Sequence, residues 1–158
     1  MTILGISIGT RDTGVCIMEN EVLINWHIHV FKHSWSKHKL HLIIQQYKRY
    51  IVKHNVNAIM VKMPQLNKDS KELASIRNKL VILAKEYNCS IDFILKSEIK
   101  NRLVLQNTNE IIEIAVRYYP VLEHVHKKGI PNKHSYYKKL YEAVLGAHLY
   151  RIMHPTII

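Results

Sequence analysis

Acidic side chains are scarce: 12 Asp and Glu stand against 23 Lys and Arg, a formal charge of +11 before any of the 11 histidines is counted. Such a balance favours a polyanionic partner, nucleic acid ahead of an anionic membrane surface. The charge is not gathered into a tail but spread through segments that read as folded. Long apolar runs are also missing. No stretch of 18 apolar residues exists, so no membrane-spanning helix and no membrane partner are expected. The N-terminus lacks a basic region followed by an apolar one, so no signal peptide is expected. The two cysteines, Cys16 and Cys89, read as buried free thiols in a reducing compartment, which places the expected location in the cytoplasm. There is no internal repeat. The 158 residues, 47% hydrophobic, suffice for one domain spanning 1–158 with a real core.

What is present begins with a hairpin. Ile3-Leu4-Gly5-Ile6 is an apolar run dense in β-formers, and residues 8–14 (IGTRDTG) read as a turn. Val15-Cys16-Ile17-Met18 returns as a second strand, antiparallel to the first because so short a link forbids a crossover. After Glu19-Asn20-Glu21, residues 22–31 read as a long third strand. His27 and His29 share one face of it, but without a third nearby ligand they read as surface rather than as a metal site. Lys37 to His54 carries Leu40, Ile43, Ile44, Tyr47, Tyr50 and Ile51 at helical spacing. Ala58-Ile59-Met60-Val61 is a fourth strand, parallel to the first because a helix precedes it and Pro64 ends it. A helix from about Asp69 to Tyr87, a fifth strand over 91–95, and short helices from Ser97 and from Asn107 to Tyr118 follow. Residues 120–136 read as a loop, and a helix from roughly Tyr137 to Met153 closes the chain. The expected fold is α/β: a mixed five-stranded sheet, three strands antiparallel and two parallel, flanked by helices.

The first hairpin, LGISIGTRDTGVCIM, resembles that of RuvC-type Holliday junction resolvases in the RNase H-like superfamily. The family pattern there runs roughly L-G-I-D-P-G-[ST]-R-x-T-G, matched by Leu4, Gly5, Ile6, Gly9, Thr10, Arg11, Thr13 and Gly14. The resemblance implies a nuclease frame in which four carboxylates hold two divalent cations. In its register the first acid falls on Ser7, the second on Lys62, and the last two, within 138–148, on Lys139 and Glu142. One carboxylate of four remains. Asp12, in the turn, reads as a local backbone acceptor rather than a substitute ligand.

The expectation is therefore a catalytically inactive RuvC-like protein that binds nucleic acid, DNA rather than RNA and branched DNA by resemblance, with no cofactor. The resemblance places basic contacts at Arg11 and Lys100, the inferred topology sets Lys68, Lys71, Lys127, Lys128, Lys133 and Lys138 on the same side with Arg77 and Lys139 nearby, and the resemblance implies a homodimer. Tyr136, Tyr137 and Tyr141 read as base-stacking candidates or as core. Three other readings stay open. One is a nuclease with a rearranged Mg²⁺ or Mn²⁺ site using Glu142, Asp12 or Asp92. Another is a protein-interaction module on the same fold. The last is an actin-like phosphate-binding hairpin, which needs two such domains.

Overall fold

The computed structural model describes residues 1–65, 69–125 and 134–155, with backbone alone for 134–136. Its strands are β1 (Thr2–Ser7), β2 (Asp12–Glu19), β3 (Val22–Val30), β4 (Ala58–Met63) and β5 (Ser90–Leu95). Its helices are α1 (Lys37–His54), α2 (Lys71–Glu86), α3 (Lys96–Leu103), α4 (Thr108–Tyr118) and α5 (His134–Met153), with a 3₁₀ turn at Pro120–Leu122. The strands form one sheet in the order β3-β2-β1-β4-β5. β1, β2 and β3 pair antiparallel, and β4 runs parallel to both β1 and β5.

Both faces of the sheet are covered, as parallel strands in a mixed sheet require. Leu4, Ile6, Val15, Ile17, Ile59 and Val61 pack against Ile43, Tyr47 and Ile51 of α1 and Leu73, Ile76 and Leu80 of α2. The opposite face presents Ile3, Cys16, Met18, Ala58, Met60 and Ile94 to α5 and α4. Every residue from Leu140 to Tyr150 is buried, so α5 is enclosed all round rather than amphipathic.

Glycines set how close α5 comes. A Cβ on Gly5 would lie 2.5 Å from the Ala143 carbonyl oxygen, and one on Gly14 would run into the backbone of Lys139. The helix thus rests directly on the backbones of β1 and β2. A polar chain ties the same strands from the other side. Thr13 Oγ1 donates to the Ser7 carbonyl at 3.1 Å and so accepts from the Tyr47 hydroxyl at 2.7 Å. Ser36, Ser70 and Asn107 cap α1, α2 and α4 through side-chain oxygens.

Several expectations change. Asp12 is not in the turn: it opens β2 opposite Val30, because the ladder runs three residues further than the apolar pattern reaches. The turn is correspondingly tight. The loop expected over 120–136 contains the 3₁₀ turn, and α5 begins at His134. Lys39 of α1 is buried and donates through Nζ to the His33 carbonyl at 2.6 Å. Cys16 is buried as expected, but Cys89 is only half-buried, its thiol donating to the Val56 carbonyl. No helix among the described residues is long and apolar enough to cross a membrane.

Candidate functional site

Three parallel strands, β1, β4 and β5, end together, and ligand sites of open α/β sheets lie outside such carboxyl ends. Ser7 is the last residue of β1 and pairs in register with Lys62 of β4. Parallel partners project to the same face, here toward α5. Across from them on α5, Glu142 is 1% exposed and meets the Lys62 ammonium, Nζ to Oε1, at 3.2 Å. Lys96, directly after β5, places its Nζ 3.8 Å from the other carboxylate oxygen and donates to Thr108 Oγ1 at 3.0 Å. Lys139, one turn before Glu142, donates to the backbone carbonyl of Asp12 at 2.7 Å. Ser7, Lys62, Lys139 and Glu142, the four positions matched to acids, are thus brought to one end of the sheet. Two buried oxygens there, Ser7 Oγ and Glu142 Oε2, have no hydrogen-bond partner among the described residues.

The electrostatics follow from crowding. Burial draws the Lys96 ammonium down from 10.5 to about 8, helped by a hydrogen bond with Lys138 and by the charges of Lys138 and Lys62, against the pull of Glu142. Burial and the Lys62 charge lower Lys139 as well, opposed by Asp12 and Glu142. Lysines outnumber carboxylates in a partly desolvated space.

That donor set does not fit a hard divalent cation. Mg²⁺ takes oxygen ligands in octahedral geometry, and carboxylates usually anchor it. Here the one buried carboxylate already faces ammonium groups on both oxygens, and the other inward donor is a neutral hydroxyl. Among the described residues, no group of three or more His, Cys, Asp or Glu is placed to hold a metal. His29, read with His27 as surface, bonds through Nε2 to the Tyr50 hydroxyl at 2.6 Å.

The basic residues assigned from sequence divide into groups. Arg11 and Lys71 are exposed, while Lys100 and Lys138 are half-buried. Arg77 is bound to Asp69 at 2.6 Å. Lys68, Lys127, Lys128 and Lys133 lie outside the described residues, as does the Tyr136 side chain. Tyr141 is 2% exposed and belongs to the core, so it offers no free stacking face, and Tyr137 packs partly buried against that core. Lys96 was missed from sequence. Its signal was position: the first residue after a parallel strand, where side chains converge.

No family model matches the chain, and no curated protein matches it. Solved structures do. RuvC of Thermus thermophilus in complex with Holliday junction substrate superposes with a TM-score of 0.75 at 13% identity, over 97% of this chain and 96% of that one. The structure of Thermus thermophilus RuvC gives 0.73, again at 13% identity over 97% and 96% of the two chains. The Holliday junction resolvase of fowlpox virus gives 0.62 at 14% identity, over 97% of this chain and 99% of that chain. The fold is RNase H-like. The sheet order β3-β2-β1-β4-β5 is the fold these RuvC-type structures share with the chain.

Proposed function

We propose that this chain binds nucleic acid, DNA and branched DNA foremost, through the basic carboxyl end of its sheet, and does not cut it by two-metal chemistry. One observation carries the reading: ammonium groups of Lys62 and Lys96 stand against Glu142, the single buried carboxylate of the site. A lysine in place of an acid changes local charge by two, so the site attracts phosphate where a metal-holding site attracts cations. The likeness to a resolvase held with its Holliday junction substrate supports branched DNA as the ligand. Exposed Arg11 and Lys71 and half-buried Lys100 and Lys138 extend the positive surface, and Lys68, Lys127, Lys128 and Lys133 add charge in sequence. A four-way junction is a nearly two-fold object, so a homodimer belongs to the proposal; light scattering on the free protein checks it.

Likeness to resolvases over 97% of the chain favours a second reading, a divalent-metal-dependent endonuclease with a rearranged site. Labelled duplex, flap and four-way substrates incubated with Mg²⁺ or Mn²⁺ separate the two. Intact DNA together with retarded complexes in EDTA is the expected result. Cleavage that disappears in Glu142→Gln establishes the endonuclease. Absence of binding to any DNA or RNA at low salt would leave the fold as a protein-interaction module.

A further inference from the structure

We infer that Lys62, Lys96, Lys138 and Lys139 together form a binding site for a tetrahedral phosphate oxyanion, filled by a backbone phosphate without any divalent cation. The inference rests on the nucleic-acid reading above and names the place and chemistry of the contact.

Charge imbalance is the first support. Lys62, Lys96 and Lys139 stand around one buried carboxylate, Glu142, with Lys138 acting on Lys96 and Lys139 and Asp12 acting on Lys139, so four lysines meet two carboxylates, a surplus of two positive charges. Partly desolvated surplus charge is costly until an anion joins it or a proton leaves. Burial and the like charges of Lys138 and Lys62 hold the Lys96 ammonium below the usual lysine range. A phosphate oxygen would accept from neighbouring ammonium groups and offset their charge.

Unmet hydrogen-bonding capacity is the second support. Ser7 Oγ is fully buried and has no hydrogen-bond partner among the described residues, and its hydroxyl can donate to an oxyanion. Lys62 and Lys96 keep 10% and 13% of their side-chain surface, so the cluster is reachable and not sealed in the core. Glu98 of α3 is occupied with the backbone N–H of Leu95 at 3.2 Å, and Asp69 is bound to Arg77.

Proton linkage gives a readout that general stickiness would not. At pH 8 Lys96 is about half protonated when free, so phosphate binding should draw in about half a proton per complex. Calorimetry of junction binding in EDTA, in two buffers of different ionisation enthalpy, measures this uptake. The variants are Lys96→Gln/Lys138→Gln, the charge-keeping Lys96→Arg, and Lys53→Gln/Lys85→Gln, whose residues end α1 and α2 at the opposite end of the sheet. Circular dichroism checks that each is folded. A second arm compares melting of wild type and the cluster variant in inorganic phosphate and in chloride at equal ionic strength.

The expected outcome is proton uptake in wild type and in the distal variant. Lys96→Arg binds without uptake. The cluster variant binds about tenfold more weakly, with a salt slope reduced by about two. Junction binding equal in the cluster and distal variants, with equal uptake, overturns the site while leaving nucleic-acid binding intact. No binding to any nucleic acid, together with phosphate stabilisation of wild type alone, overturns the functional reading and keeps an oxyanion site for free phosphate. Failure in both arms overturns both.

Discussion

Lys62 and Glu142 lie 80 residues apart in sequence and meet at 3.2 Å at the end of the sheet, with Glu142 1% exposed. The pair is asymmetric. Glu142 has a second ammonium, Lys96, at 3.8 Å, whereas Lys62 has other lysines for neighbours. Removing the carboxylate therefore strands several cations, while removing Lys62 leaves the carboxylate still paired. Glu142→Gln is expected to cost about 3–5 kcal/mol, the range for breaking a buried pair. Lys62→Met should cost clearly less. Urea unfolding of both proteins checks the order, and a larger loss in Lys62→Met contradicts this account of the charge balance.

Rebuilding a metal site needs one change that the sequence did not reveal. Ser7→Asp with Lys62→Glu and Lys139→Asp restores three acids, yet Lys96 would still stand 3.8 Å from Glu142. Adding Lys96→Ala to the triple variant should markedly tighten Mn²⁺ binding measured by titration calorimetry. Equal affinity in the triple and quadruple variants would show that Lys96 does not oppose a cation.

Stability should rise with pH at the alkaline end. Lys96 binds its proton less tightly folded, at about 8, than unfolded, at 10.5. Between those values the unfolded chain holds more protons, so unfolding free energy increases with pH across that window. The lowered Lys139 adds in the same direction. Melting temperatures of wild type and Lys96→Gln should converge as pH goes from 7 to 10, with the variant the more stable at pH 7.

A second titration works at the acid end. His148 is buried, accepts or donates at Nδ1 with the Tyr119 hydroxyl at 2.7 Å, and is pulled from 6.5 to about 4 by burial and by Arg151. Its contribution is complete above 6.5 and is lost as pH falls toward 4, where the unfolded chain takes the proton first. NMR titration of the ring should report a midpoint near 4, and His148→Gln should flatten the acid arm of the stability profile.

The architecture could be read from sequence because its signals were local. Period-two apolar runs, period-3.6 faces such as Leu73, Ile76, Leu80 and Leu83, and the obligatory antiparallel hairpin each depend on neighbours in the chain. The site was half readable. The register that placed Ser7, Lys62, Lys139 and Glu142 together came from resemblance, and the sheet pairing Ser7 with Lys62 agrees with it. Lys96 escaped because its role comes from β5 lying beside β4, a long-range fact that no local pattern carries. Asp12 was misplaced for a related reason: its ladder partner Val30 belongs to a different hairpin. Tyr141 was left open between base stacking and core because a helix buried on every side has no polar face to mark its orientation.

The contact of Gly5 with the Ala143 carbonyl has a consequence for how mutational data on this protein would read. Neither residue carries a group that could touch a ligand. A single added methyl at Gly5 would nonetheless lift α5 away from β1, and Glu142, the neighbour of Ala143, would move with it. A saturation screen for binding would then score Gly5 and Gly14 as strongly as the lysines themselves. The two classes separate on a simple criterion: loss at the glycines should come with loss of soluble, folded protein, and loss at the lysines should not.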